Sequence, residues 1–142
     1  DFDSQNMANI VWAYATVGHS SPKLFDATLH KAIEKLDAFN SQEVVNLMWA
    51  YARIGYKIDS IKLNAFVHKA LSVLEEFKMQ EVINLLWSLA VFDFEDIDAT
   101  DSLFSKITEG YNSMIDNDEC KELPTEALRQ LHQVSLWYNK EC

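Results

Sequence analysis

The sequence is poor in the residues that break or cross-link protein structure. Its 142 residues include three glycines, two prolines and two cysteines, whereas 49% are hydrophobic. So few breaking residues with so much apolar content exclude a disordered chain. Cys120 and Cys142 are too few and too badly placed for a metal knuckle or a disulfide framework, which favours a reducing compartment.

Basic residues and long apolar runs are also scarce. Twelve Lys and Arg residues stand against 22 Asp and Glu residues, so the net charge is −10 at pH 7. Nucleic-acid binders normally gain affinity by neutralising phosphates, and this acidity therefore weakens that hypothesis. The apolar stretches are too short to span a bilayer, so no membrane span is expected. Because the chain starts at Asp1 without an initiator Met or a leader, we interpret it as an excerpt whose targeting segment is not present.

A repeat is what the sequence does contain. Three segments share columns of Phe, Gln, Asn and Trp: FDSQNMANIVWAYATVGH from Phe2, FNSQEVVNLMWAYARIGY from Phe39 and FKMQEVINLLWSLAVFDF from Phe77. Each column recurs after 37 and then 38 residues. A fixed period in the range of roughly 20 to 50 residues is the signature of a solenoid. We therefore predict an all-α fold, an α-solenoid of tandem helix-turn-helix repeats.

The period predicts how the chain is divided. Region 1–113 should hold three helical hairpins, at about 1–38, 39–76 and 77–113, followed by an acidic loop at 114–123. A divergent or capping helix is expected at 124–142, because that segment has no Gln, Asn and Trp columns in register.

Within each hairpin the first helix has recognisable ends. Asn40 is expected as an N-cap, with Glu43 three residues later completing a capping box. Gly55 and Gly18 should end their helices in the left-handed conformation, whereas Asp93 stands at that place in the third repeat.

The tryptophan column permits two interpretations. Trp12, Trp49 and Trp87 could form a base-stacking ladder, but the core between repeats is favoured, since truncating such a core residue typically costs about 3 to 5 kcal/mol. Burial of the side chains distinguishes the two.

The amide columns also permit two interpretations. Gln and Asn lie four residues apart in each repeat and so share one helix face, as Gln42 and Asn46 do. Each amide either ties down a backbone group of the next repeat, because a buried amide must be hydrogen bonded, or belongs to a ligand-reading stripe. For the Asn column the structural interpretation is favoured.

Other positions on this face differ between repeats. A constant scaffold with variable side chains suits a protein that reads one RNA base per repeat, and equally suits a scaffold for a protein partner. Positions assigned to the face include Ala13, Ala50 and Ser88. The predicted RNA-binding or partner-binding residues are Asn6, Asn9, Thr16, Glu43, Asn46, Arg53, Glu81 and Asn84.

No catalytic or metal site is expected. The chain offers no nucleophile with a base at a recognisable spacing and no Gly-rich phosphate loop. The acidic segment DFEDIDATD lacks the glycine and the final Glu of a calcium loop. We therefore expect no enzyme, no metal, no cofactor and no small-molecule substrate.

The strings SQNMANIVWAYATVG, SQEVVNLMWAYARIG and MQEVINLLWSLAVFD resemble the first helix of octotricopeptide-type repeats of organellar RNA-processing proteins, the RAP-domain and FAST-kinase-like group. The resemblance covers about residues 1–112, and the segment LRQLHQVSLWYNKE resembles the region that precedes a RAP domain, which is itself absent here. It implies an α-solenoid in a mitochondrion or plastid that binds single-stranded RNA in transcript processing, stability, translation or ribosome assembly. The alternative is a protein-protein scaffold or structural subunit of a large organellar complex.

Overall fold

The computed structural model describes residues 3–116 and 125–141, and all regular structure in those ranges is helical. The α-helices are α1 (Ser4–Thr16), α2 (Pro22–Glu34), α3 (Ser41–Arg53), α4 (Ser60–Ser72), α5 (Met79–Val91), α6 (Ile97–Asp116) and α7 (Thr125–Glu141). Short 3-10 turns at Leu36–Ala38 and Leu74–Glu76 follow α2 and α4. The predicted all-α class is therefore confirmed. None of the helices in these ranges is long and apolar enough to cross a membrane.

The helices belong to two compact units, unit 1 (Asp1–Phe77) and unit 2 (Lys78–Cys142). In unit 1, α1 packs mainly on α3, and α2 contacts α4, so equivalent helices of successive repeats are neighbours. In unit 2, α5 packs on α7 and on α6. Helices that pack neighbour to neighbour in this way are the arrangement of an α-solenoid-like repeat fold.

Side chains that cap the helix N-termini fix where the hairpins begin. The Asn40 side-chain oxygen accepts from the Glu43 N–H at 2.9 Å, and the Glu43 carboxylate accepts from the Asn40 N–H at 2.9 Å, which confirms the capping box. Asp3 and Asp59 cap α1 and α4 by accepting from backbone N–H groups at 2.8 and 3.0 Å. Each such cap satisfies a donor that the first turn of a helix leaves without an intrahelical partner.

Left-handed residues end the first helix of each repeat. Gly18 and Gly55 have φ of 70° and 71°, as predicted, and Asp93 adopts the same region at φ 54°. Aspartate reaches this region at a steric cost that glycine avoids. In unit 2 the Asp93 carboxylate accepts from the indole N–H of Trp137 on α7 at 3.0 Å, an interaction that a glycine could not make.

An aromatic cluster joins the two repeats of unit 1. The Phe25 ring meets the Tyr51 ring edge to face, with centroids 5.1 Å apart, and both side chains are fully buried. The Tyr51 hydroxyl donates to the Phe25 carbonyl at 2.7 Å, and the Tyr56 hydroxyl donates to the Asp26 carboxylate. That bond to Asp26 raises the pKa of Tyr56 to about 12, while burial raises the pKa of Tyr51 well above its ordinary value.

Helix α6 extends into the segment for which the sequence predicted an acidic loop. Helix α6 continues to Asp116, whereas the loop was expected from residue 114. Nothing between 111 and 116 breaks a helix, since the segment has neither proline nor glycine. The remainder of the predicted loop, 117–124, lies outside the described residues.

Candidate functional site

One line of side chains runs along the first helices of unit 1. Its members follow a spacing of four, three and four residues, which keeps them on a single face of each helix. We call this set the unit 1 stripe: Gln5, Asn9, Trp12 and Thr16 on α1, with Gln42, Asn46, Trp49 and Arg53 on α3. Asn46 and Trp49 are half-buried, and the other six are exposed. Of the predicted binding residues, Asn9, Thr16, Asn46 and Arg53 belong to it.

The tryptophans of this stripe lie at the surface. Trp12 is 44% exposed, so the expectation that it belongs to the core is wrong. The inward positions of α1 are taken by smaller apolar residues, among them Val11 and Ala15, which are fully buried. Because one residue along a helix turns the side chain by about 100°, Trp12 points away from the core that Val11 enters. The Trp12 and Trp49 rings are neighbours, with centroids 6.4 Å apart and planes at 33°.

Arg53 extends the aromatic pair. Its guanidinium carbon lies 5.5 Å from the centroid of the Trp49 ring, within the range of a cation-π interaction. Thr16, at the equivalent place on α1, turns its hydroxyl to the carbonyl of Trp12 at 2.8 Å. Arg53 is therefore the only cationic member of the unit 1 stripe.

The unit 1 stripe also carries four side-chain amides. Within the described part of unit 1, no protein group is hydrogen bonded to the side chains of Gln5, Asn9, Gln42 or Asn46. A side-chain amide offers two donors and two acceptor sites, so these four groups can pair with the edge of a base or with a peptide backbone.

The remaining predicted binding residues are Asn6 on α1, Glu43 on α3 and, in unit 2, Glu81 and Asn84 on α5. Asn6 is exposed near the start of α1, and Glu43 is half-buried with its carboxylate engaged in the Asn40 cap. Glu81 is half-buried, and its Oε2 atom has no hydrogen-bond partner among the described residues. Two further positions assigned to the same face, Ala50 and Ser88, are fully buried, so that assignment is wrong for both.

In unit 2 the equivalent side chains of α5 are hydrogen bonded to α7. The Gln80 side-chain amide donates to the Asn84 side-chain oxygen at 3.0 Å and to the Gln130 side-chain oxygen at 3.4 Å. The indole N–H of Trp87 donates to Gln133 at 2.7 Å. The amide column in unit 2 is therefore hydrogen bonded within the protein, to side chains and not to the backbone group that the structural interpretation expected, and the predicted binding residue Asn84 is part of the network.

Helix α7 occupies on α5 the place that α3 occupies on α1. Gln133 accepts from Trp87, 46 residues earlier, and Gln130 accepts from Gln80, 50 residues earlier, whereas the repeat period here is 38. The sequence comparison missed both glutamines because it searched for Asn and Trp at the regular period. Their three-residue spacing, which matches that of Asn84 and Trp87, is the signal that could have found them.

The two units also differ in charge. Unit 1 holds seven basic and nine acidic side chains, a net charge of −2, whereas unit 2 holds five basic and thirteen acidic side chains, a net charge of −8. Despite this acidity, the part of the chain that the structure describes contains no group of three His, Cys, Asp or Glu residues arranged to hold a metal ion.

Comparison with known proteins gives one family. The profile of the family described as RNA-editing substrate-binding complex 6 protein (RESC6) matches residues 1–133 of the chain. No curated protein sequence matches it. The family match does not test the octotricopeptide-type resemblance, which stays a prediction.

Proposed function

The chain belongs to the RNA-editing substrate-binding complex 6 protein family, and we propose that it is an RNA-binding helical-repeat subunit of an RNA-processing assembly. Single-stranded RNA is the ligand, and the unit 1 stripe is the surface that holds it. The protein binds and positions the RNA and carries out no catalytic step of its own.

The observation that carries this proposal is the aromatic pair of exposed Trp12 and half-buried Trp49, with the cation of Arg53 beside it. Trp12, Trp49 and Arg53 provide two indole rings and one guanidinium plane on one face of unit 1. Proteins that bind single strands combine stacking surfaces of this kind with polar groups that meet the bases or the backbone. The amides of Gln42 and Asn46, on the same face of α3, are available for the second task.

The cellular site that we propose is an organelle, either a mitochondrion or a plastid. This part of the proposal rests on the resemblance of the repeats to organellar RNA-processing proteins. The roles in transcript processing, stability, translation or ribosome assembly that the resemblance implies all need the same event, the capture of an unpaired RNA segment.

A second candidate function is that of a protein scaffold in the same kind of assembly. The net charge of −8 on unit 2 favours it, because an acidic surface repels phosphates and attracts a basic protein partner. On this hypothesis the chain contributes to an RNA-processing complex without touching RNA.

Equilibrium binding to a random single-stranded RNA pool, at low and at physiological salt, distinguishes the two candidates. We expect Arg53→Ala to weaken binding about fivefold, the amount that one cation-π or phosphate contact supplies. Lys23→Ala is the matched control, since Lys23 is an exposed cation on α2, away from the stripe. Equal losses in both variants would mean that only overall charge matters, and no binding at either salt would overturn the proposal in favour of the scaffold.

A further inference from the structure

We infer that the unit 1 stripe recognises unpaired bases by stacking, with one base on Trp12 and the next on Trp49, so that it selects single strands over duplexes and depends little on salt. This inference rests on the proposed function and names the chemistry of its ligand more narrowly.

The distance between the two rings supports an extended strand. Trp12 and Trp49 are equivalent residues of successive repeats, so each repeat supplies one ring. Their centroids are 6.4 Å apart, nearly twice the rise of about 3.4 Å between stacked bases. Bases seated on the two indoles are therefore separated from each other rather than stacked together. A single strand can open in this way, whereas a duplex keeps its bases paired and stacked.

The orientation of the rings supports the same ligand. A tilt of 33° leaves the two indole planes closer to parallel than to perpendicular, so neighbouring bases of one strand can meet both rings. Arg53 lies over Trp49, and its guanidinium is itself a plane on which a base can stack. Since every base has a π face, this arrangement accepts many sequences.

The charge of the stripe predicts the response to salt. Arg53 is its only cation, so binding there releases about one counterion. For a single strand this gives a slope of about −0.7 in a plot of log K against log salt. A protein that held RNA mainly through phosphates would show a slope several times steeper. A shallow slope therefore distinguishes stacking from general electrostatic attraction.

The test compares a short unstructured RNA strand with the same strand in a duplex, across a series of salt concentrations. We expect the single strand to bind at least tenfold more tightly, with a shallow salt slope. Trp12→Leu should weaken binding of the single strand roughly tenfold, because an aliphatic side chain offers no ring, while Trp12→Phe should retain most of the affinity. Ile61→Ala, which removes an 81% exposed apolar side chain on α4, is the control and should have no effect.

The outcomes separate this inference from the proposed function. Thermal melting first shows that the Trp12 variants are folded, as expected for a side chain that is 44% exposed. If Arg53→Ala weakens RNA binding but Trp12→Leu does not, the stacking inference fails and the proposed function stands. Equal affinity for the duplex and the single strand also overturns the stacking inference. A slope of log K against log salt several times steeper than about −0.7 does so as well. No binding of RNA in any form overturns both.

Discussion

In unit 1 the side-chain amides of Gln42 and Asn46 have no hydrogen-bond partner within the described part of that unit, whereas in unit 2 the Gln80 amide donates to Asn84 and to Gln130 of α7. The same columns of the repeat thus form a hydrogen-bond network in unit 2 and leave their amides unpaired within the described residues of unit 1. A side-chain amide can take either role, because its donors and acceptors can hydrogen bond to a neighbouring protein group, to water or to a ligand. Repetition of a residue in the sequence therefore does not establish a shared role.

The two units also fill equivalent inner positions differently. Tyr51 of α3 joins an aromatic cluster with Phe25 and Tyr56, and the residue 38 positions later, Leu89 of α5, is an aliphatic core residue. Gly55 and Asp93 both take the left-handed conformation, and Asp93 alone accepts a hydrogen bond from Trp137. The two units therefore share the backbone conformation of the repeat at these positions, but different side-chain contacts stabilise it.

The largest effect is expected where unit 1 is made to resemble unit 2. Tyr51→Leu should lower the free energy of unfolding by about 2 to 4 kcal/mol, because the buried Phe25 carbonyl loses its donor and two aromatic pairs are lost. Chemical denaturation followed by circular dichroism measures the change.

Tyr51→Phe is the control for that substitution. It keeps the ring contacts and removes only the hydroxyl that donates to the Phe25 carbonyl at 2.7 Å, so it should cost about 1 to 3 kcal/mol. If Tyr51→Leu costs no more than Tyr51→Phe, the aromatic contacts contribute nothing and this difference between the units has no energetic meaning.

A smaller effect is expected at the left-handed residues. Gly55→Ala should destabilise the protein by about 1 to 2 kcal/mol, the steric cost of that conformation. A Cβ atom at Gly55 would meet nothing within 4 Å, so no clash with a neighbouring group adds to this cost. Asp93→Gly should change stability by less than about 0.5 kcal/mol, since relief of strain offsets the lost bond to Trp137. Thermal melting of both variants checks this contrast, and a large loss in Asp93→Gly would show that the hydrogen bond dominates.

The fold was predictable because it depends on local and periodic signals. The capping box at Asn40 and the left-handed Gly55 follow from short-range backbone chemistry, so the hairpin ends could be placed from the sequence. The end of α6 could not, since the acidic residues near Asp116 are compatible with either helix or loop. The helix predicted at 124–142 corresponds to α7, but its packing on α5 was not predicted, because that packing requires surface complementarity and not a repeated motif.

The candidate site was predictable only in part. Asn9, Asn46 and Arg53 were placed on a common face by helical spacing, and the structure has them on α1 and α3, which are helical over these positions. Trp12 was assigned to the core because large aromatic residues are usually buried, and a helix that is apolar around most of its circumference does not show which side faces a neighbour. The engagement of Asn84 by Gln80 depends on rotamers and on α7, neither of which a sequence period reports.

The smallest effect on stability is expected at matched positions of the amide column. Gln80→Ala should cost about 1 kcal/mol, because it removes hydrogen bonds to Asn84 and Gln130 in a half-buried network. Gln42→Ala should change stability by less than about 0.5 kcal/mol, since this side chain is exposed and has no protein partner in the described part of unit 1. Denaturant unfolding of the two variants side by side measures the difference.

For the affinity for single-stranded RNA we expect the opposite ranking, in which Gln42→Ala has the larger effect. Gln42→Ala removes an amide on the same face of α3 as Trp49, about two helical turns away, and should weaken binding about fivefold, the contribution of one hydrogen bond, whereas Gln80→Ala should leave the affinity unchanged. If Gln80→Ala lowers only the stability and Gln42→Ala lowers only the RNA affinity, the same sequence column has a structural role in unit 2 and a binding role in unit 1. If both variants lose stability and neither loses affinity, the amides are structural throughout, and the contrast between an open and a closed stripe has no functional meaning.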